Sequence, residues 1–206
     1  MIPRLLSRSN SRRMLLRGLL TVKIASCPTF EVGAEKVAEL WKDADGPTPI
    51  RLEGFAGVGK TGMAKLLVKL IGGEHVAGDH FVSKFDAPPS YRECMRQSEF
   101  DCAIAQAFAS GRVAVLDAVC LEEVAPSTKW GRGFVVYIWH EGFHLEEEAP
   151  IKEVNRSIHM YHNRVRSHET ADLIIELPET GHLMPEGRFD RSMCFDPLGV
   201  EVIYVA

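Results

Sequence analysis

One octapeptide constrains this chain more than any other feature. Gly54-Phe55-Ala56-Gly57-Val58-Gly59-Lys60-Thr61 satisfies G-x-x-x-x-G-K-S/T, a pattern in which each part answers to phosphate chemistry. The glycines let backbone N–H groups turn inward around a β-phosphate. Lys60 supplies a point charge to the β- and γ-phosphates, and the Thr61 hydroxyl is a candidate Mg²⁺ ligand. A helix beginning at Lys60 aims its positive dipole end at the same anion. Residues Gly54 to Thr61, with Gly62 in the first helical turn, are therefore the expected phosphate contacts. The motif also demands a strand before it and a helix after it. Pro49–Glu53 reads as a short strand with Ile50 and Leu52 pointing one way. Lys60–Ile71 reads as a helix closed by Gly72 and Gly73.

The rest of the chain alternates in the same way. Ala34–Trp41 places Val37, Leu40 and Trp41 on one helical face, and Asp45-Gly46-Pro47 breaks it. His75–Gly78 reads as a short strand, residues 84–90 as loop and Tyr91–Ser110 as one long helix. Val113–Leu116, Phe134–Trp139 and Leu173–Ile175 are apolar runs of the kind buried on both faces of a sheet. Ile151–Arg166 reads as a polar helix, and Val200–Val205 as the last strand. Strands alternating with helices predict an α/β fold of three layers, a mostly parallel sheet with helices on both faces. Ligands in such sheets bind at the carboxyl ends of the strands.

Size and composition narrow the classes. The chain has 206 residues, 46% hydrophobic and 25% charged, which suits one globular domain and excludes collagen, coiled coil and wholesale disorder. No apolar run approaches the roughly 20 residues of a membrane helix, so no membrane partner is expected. A net charge of −4 argues against a general nucleic-acid binder. Five scattered cysteines without a C-x-x-C pair suit free thiols in a reducing cytosol. Residues 1–30 carry Arg4, Arg8, Arg12, Arg13, Arg17 and Lys23 and no acid. They read as a basic, disordered extension, as upstream codons before a start at Met14, or as an organelle transit peptide. The folded domain is then expected over residues 31–206. Cytoplasmic placement is the main expectation, with organelle import as the alternative, and homo-oligomer formation is left open.

A second carboxylate pattern accompanies the loop. Val113-Ala114-Val115-Leu116-Asp117 is four apolar residues followed by an acid, which positions Asp117 at the end of a buried strand to hold Mg²⁺ through water. Ala118 follows, so the Asp-Glu pair of motor-type ATPases is missing, and no N-K-x-D guanine-reading motif occurs. Asp79 follows the strand after the phosphate-loop helix, where a carboxylate could receive the proton of an attacking hydroxyl. Arg156, Arg164 and Arg166 lie on the polar helix, either as phosphate clamps or as a solvated face.

These segments resemble the small P-loop kinases of the uridine kinase type. The resemblance rests on Arg51-Leu52-Glu53-Gly54 through Thr61, Gly78-Asp79-His80-Phe81, Gly111 through Asp117, and Tyr161-His162 leading to Ala171-Asp172-Leu173-Ile174-Ile175. It implies a P-loop NTPase fold with a small helical lid, and transfer of the γ-phosphoryl of ATP, with Mg²⁺, to a hydroxyl of uridine or another nucleoside. It implies Lys60, Asp79, Asp117 and Arg164 as catalytic residues, with Asp79 serving the acceptor, and Arg156 and Arg166 as further nucleotide contacts. Tyr91, Arg92 and Asp101 fall where such kinases place the acceptor. The sequence departs from the family in lacking a dense R-R-x-x-R-D lid, so which arginine reaches ATP stays open, and the nucleoside-binding residues are not recognisable. A sugar or vitamin-precursor kinase and a non-catalytic ATP-binding regulatory module are the alternatives.

His140-Glu141-Gly142-Phe143-His144 formally matches the H-E-x-x-H zinc protease pattern. Its two histidines would bind zinc only from one helical face. The preceding residues read as strand and Gly142 interrupts the would-be helix, so a loop after a core strand is the expected structure.

Overall fold

Short runs in which every residue is buried, such as Ile50–Glu53 and Ala114–Asp117, belong to strands covered on both faces. The computed structural model describes residues 20–44, 48–83, 90–140, 152–178 and 200–204. Among these, seven strands form one sheet: β1 (Leu20–Ser26), β2 (Ile50–Glu53), β3 (Glu74–Ala77), β4 (Ala114–Asp117), β5 (Phe134–His140), β6 (Leu173–Leu177) and β7 (Val200–Tyr204). All neighbouring pairs are parallel, in the order β3-β4-β2-β5-β6-β1-β7. Helices connect them: α1 (Phe30–Asp43), α2 (Lys60–Ile71), α3 (Tyr91–Cys94), α4 (Gln97–Ala109), α5 (Leu121–Val124), α6 (Ser127–Trp130), α7 (Lys152–Val165) and α8 (Ser167–Thr170). A 3-10 turn spans Gly78–Phe81. The protein is thus an α/β fold with an all-parallel sheet and helices on both faces. No helix of the described residues is long and apolar enough to cross a membrane.

The period-2 alternation of the strands assigns the two faces. Ile50, Leu52, Val115 and Val136 meet Ala34 and Val37 of α1 and Met63 and Leu67 of α2. Val76, Ala114 and Leu116 meet Phe100 and Ile104 of α4, Leu121 and Val124 of α5, and Ile158 and Tyr161 of α7. Helix α1 starts where the Thr29 hydroxyl accepts the Val32 N–H, a side-chain cap on an otherwise orphaned donor. Helix α2 ends at Gly72, whose φ of 71° is the left-handed conformation that glycine adopts without a Cβ penalty.

Two expectations are corrected. The extension does not reach residue 30. Leu20–Ser26 is β1, paired with both β6 and β7, and Val22, Ile24 and Ala25 are buried. Lys23 masks this strand in the composition, but it is one half-buried residue in an otherwise apolar alternation. The long helix over Tyr91–Ser110 is two helices. Met95 leaves the helical path to form an antiparallel bridge with Val82, and the Arg96 N–H bonds the Phe81 carbonyl. Residues 1–19, 45–47, 84–89, 141–151, 179–199 and 205–206 lie outside the described residues, among them the expected break at Asp45-Gly46-Pro47, the 84–89 part of the expected loop and Glu141 to His144. His140 is the last residue of β5.

Candidate functional site

The loop from Gly54 to Gly59 joins the carboxyl end of β2 to the first turn of α2. Gly54, Gly57 and Gly59 have φ of 137°, 84° and 87°. A Cβ on Gly54 would stand 2.6 Å from the Ile138 carbonyl oxygen, and one on Gly59 would enter the Phe30 ring. Glycine at those two positions is a requirement of both dihedral angle and space. Gly59 is the N-cap of α2 and offers no side chain, so no side-chain oxygen caps the first amides of the helix.

Lys60 is only 6% exposed. Its ammonium donates to the carbonyls of Gly54 at 2.9 Å and Phe55 at 2.6 Å, folding the loop over its own side chain. Burial pushes its pKa below the ordinary lysine value, against the opposing pull of Asp79, Asp117 and Glu53. The same three carboxylates show what the fold gathers around this cation.

Thr61 and Asp117 meet directly. In the β2–β4 register Leu52 lies opposite Asp117, and Asp117 shares the α2 side of the sheet with Val115. The Thr61 hydroxyl donates to Asp117 Oδ2 at 2.7 Å. His75 Nε2 lies 2.9 Å from Oδ1, so both oxygens of the carboxylate are occupied. His75 was legible in principle. Ala77 of β3 pairs with Asp117, and His75, two residues earlier, shares its face. The oxygens of Thr61 and Asp117 suit the hard-donor chemistry of Mg²⁺. Among the described residues no group of three or more His, Cys, Asp or Glu side chains is placed to hold a metal ion.

Asp79 sits in the 3-10 turn after β3, exposed, with Oδ1 accepting the Tyr91 hydroxyl at 2.9 Å. It therefore joins Lys60, Thr61 and Asp117 at the carboxyl edge. Two of the arginines are paired elsewhere. Arg164 pairs with Glu123 and Arg166 with Glu169, while Arg156 is exposed. Of the expected acceptor residues, Arg92 is exposed, Tyr91 is buried against Asp79, and Asp101 faces Lys129 at 2.8 Å.

A buried polar network behind the loop has no counterpart in the sequence reading. Because Ile50 and Leu52 face α1 and α2, Arg51 and Glu53 face the opposite side. Arg51 donates to Glu122 Oε2 at 2.9 Å and to the Ala125 carbonyl at 2.8 Å. The Tyr161 hydroxyl donates to Glu53 and accepts the Glu122 N–H at 3.0 Å. Burial drives Glu53 up to about 7, against the pull of Arg51 and the Tyr161 hydrogen bond. His162 packs on Phe55, with ring centroids 4.2 Å apart. Burial and the nearby Lys60 charge lower it to about 3, and neither ring nitrogen has a hydrogen-bond partner. The signal for this network was two charged residues alternating with Ile50 and Leu52 inside a strand that had to be covered on both faces.

No protein-family model matches the chain, and comparison with curated proteins finds no match.

Proposed function

We propose that this protein is an ATP-dependent kinase with a P-loop NTPase fold, transferring the γ-phosphoryl group to a hydroxyl of a small molecule. The observation that carries the reading is the contact of Thr61, the last residue of the glycine-rich motif, with Asp117 at the end of the neighbouring strand. The sequence resemblance to uridine kinases favours a nucleoside acceptor.

In this reading the loop amides and the first turn of α2 bind the β-phosphate. Lys60 exchanges its bonds to the Gly54 and Phe55 carbonyls for the β- and γ-phosphate oxygens. Thr61 and Asp117 hold Mg²⁺, which when bound neutralises charge on those phosphates. Asp79 accepts the proton of the acceptor hydroxyl as its oxygen forms the new bond to phosphorus. The bond from the γ-phosphorus to the bridging oxygen breaks, and ADP leaves with the electron pair. Arg156, Arg164 and Arg166 remain candidate clamps from α7 and the residue after it. Arg164 and Arg166 would first have to leave Glu123 and Glu169. The medium is the cytoplasm in this reading.

The test is ADP release from MgATP across nucleosides, sugars, polyols and cofactor precursors. Release dependent on one hydroxylated class supports the proposal. Tight ATP binding with no acceptor-dependent release points instead to a nucleotide-binding regulatory module.

A further inference from the structure

The break between α3 and α4 has a chemical consequence for Asp79. A continuous helix over Tyr91–Ser110 would be held in line by its own hydrogen bonds. Instead the Val82–Met95 bridge and the Arg96-to-Phe81 bond tie the short helix α3 to the turn after β3. Tyr91, the first residue of α3, is thereby buried, with its hydroxyl on Asp79 Oδ1 at 2.9 Å. In this contact the phenol donates its proton and the carboxylate oxygen accepts it. Gly78 makes the approach possible. A Cβ there would stand 2.7 Å from Ala118 Cβ and 3.3 Å from the Tyr91 hydroxyl oxygen.

We infer that Tyr91 is the positioning residue of the acceptor site: its hydroxyl fixes the Asp79 carboxylate through Oδ1 and leaves Oδ2 to take the acceptor's proton. The inference rests on the reading of Asp79 as the acceptor carboxylate. It also gives Tyr91 a role different from direct contact with the acceptor. The ring packs in the core beside Phe100 and Leu121, while the phenol alone reaches the edge.

The experiment is a double-mutant cycle on the full chain, with Tyr91→Phe, Asp79→Asn and the pair, assayed with MgATP and uridine, with thermal unfolding run alongside. Tyr91→Phe keeps the ring, so the melting temperature should move by only a few degrees. In the wild-type background Tyr91→Phe should lower kcat on the order of ten-fold, the typical worth of a hydrogen bond to a charged group, with KM for ATP unchanged. In the Asp79→Asn background it should have almost no further effect, because the carboxylate it orients is gone. Equal losses in both backgrounds, or no loss in either, would overturn the inference and leave the Asp79 reading standing. Normal turnover by Asp79→Asn alone, or no turnover with uridine or any other hydroxylated acceptor, removes the reading of the site and the inference with it.

Discussion

The hydroxyl of Thr61 and the carboxylate of Asp117 meet at 2.7 Å across 56 residues of chain. The first sits at the start of α2, the second at the end of β4, and parallel pairing of β2 with β4 brings them together. Asp117 Oδ1 is held as well, by His75, so the carboxylate is oriented before any ligand arrives. Asp117→Asn keeps the shape of this arrangement and removes the charge. It should lower kcat/KM for MgATP by about 10- to 100-fold, the usual cost of disturbing a metal's supporting groups. Activity should recover in part as Mg²⁺ is raised. A titration of rate against Mg²⁺ for both proteins checks this, and a loss independent of Mg²⁺ would remove Asp117 from the metal site.

Lys60→Ala should abolish transfer without unfolding the protein. Lost stabilisation of the transferring phosphoryl should raise the barrier by several kcal/mol. The ammonium is buried and desolvated, with its pKa lowered, so it is an expensive group to keep in the fold. Its removal also releases the carbonyls of buried Gly54 and half-buried Phe55, a cost that offsets that gain. Circular dichroism should therefore be unchanged and the melting temperature should move by only a few degrees. A folded variant with full activity would rule out the assigned loop.

Glu53 should make stability depend on pH in the opposite sense to an ordinary paired carboxylate. Its folded pKa, about 7, lies above the usual 4.5, so the folded state binds the proton more tightly than the unfolded chain. That stabilisation is complete below about pH 4.5 and is lost as the pH rises through about 7. His162 opposes it. Lowered from 6.5 to about 3, it contributes stability above pH 6.5 that is lost as the pH falls toward 3. The difference between wild type and Glu53→Gln isolates the first effect, since glutamine keeps the size and an oxygen for Tyr161. Glu53→Gln should gain on wild type from pH 5 to pH 8, by on the order of 2–3 kcal/mol at the upper end. Denaturant unfolding across that range measures it, and a difference independent of pH would contradict the burial argument.

A chain starting at Met14 should fold like the full protein, and one starting at Glu31 should not. The second loses β1, which fills the sheet between β6 and β7 and buries Val22, Ile24 and Ala25. Losing a buried strand exposes two sheet edges and several apolar side chains, at about 1.5–3 kcal/mol for each large one. Near-identical melting curves for all three chains would show β1 to be dispensable.

What was legible in the sequence follows from the range of the interactions involved. The span of α2 was readable because Gly54 to Lys60 and Gly72 are local signals with local causes. The runs around Val115, Tyr137 and Ile174 were readable as strands because strands covered on both faces must be apolar throughout. Strand β1 was hidden because its three buried apolar residues flank Lys23 behind an arginine-rich stretch. The α3–α4 break was hidden because its cause, the Val82–Met95 bridge, joins residues distant in sequence and leaves no mark on helical periodicity. The meeting of Lys60, Thr61 and Asp117 could be anticipated from motif logic. The Arg51–Glu122 and Glu53–Tyr161 contacts could not, since they depend on which helix covers the second face of β2. The ion pairs of Arg164 and Arg166 depend in the same way on where α5 and α8 lie.

Phosphorus NMR of MgATP incubated with the protein and the acceptor found by ADP release tests phosphoryl transfer most directly. The γ-phosphate signal should be replaced by that of a phosphate monoester on the acceptor, only when acceptor is present and not with Lys60→Ala. Intact ATP under all acceptors, or inorganic phosphate as the sole product, would contradict the assignment of a kinase.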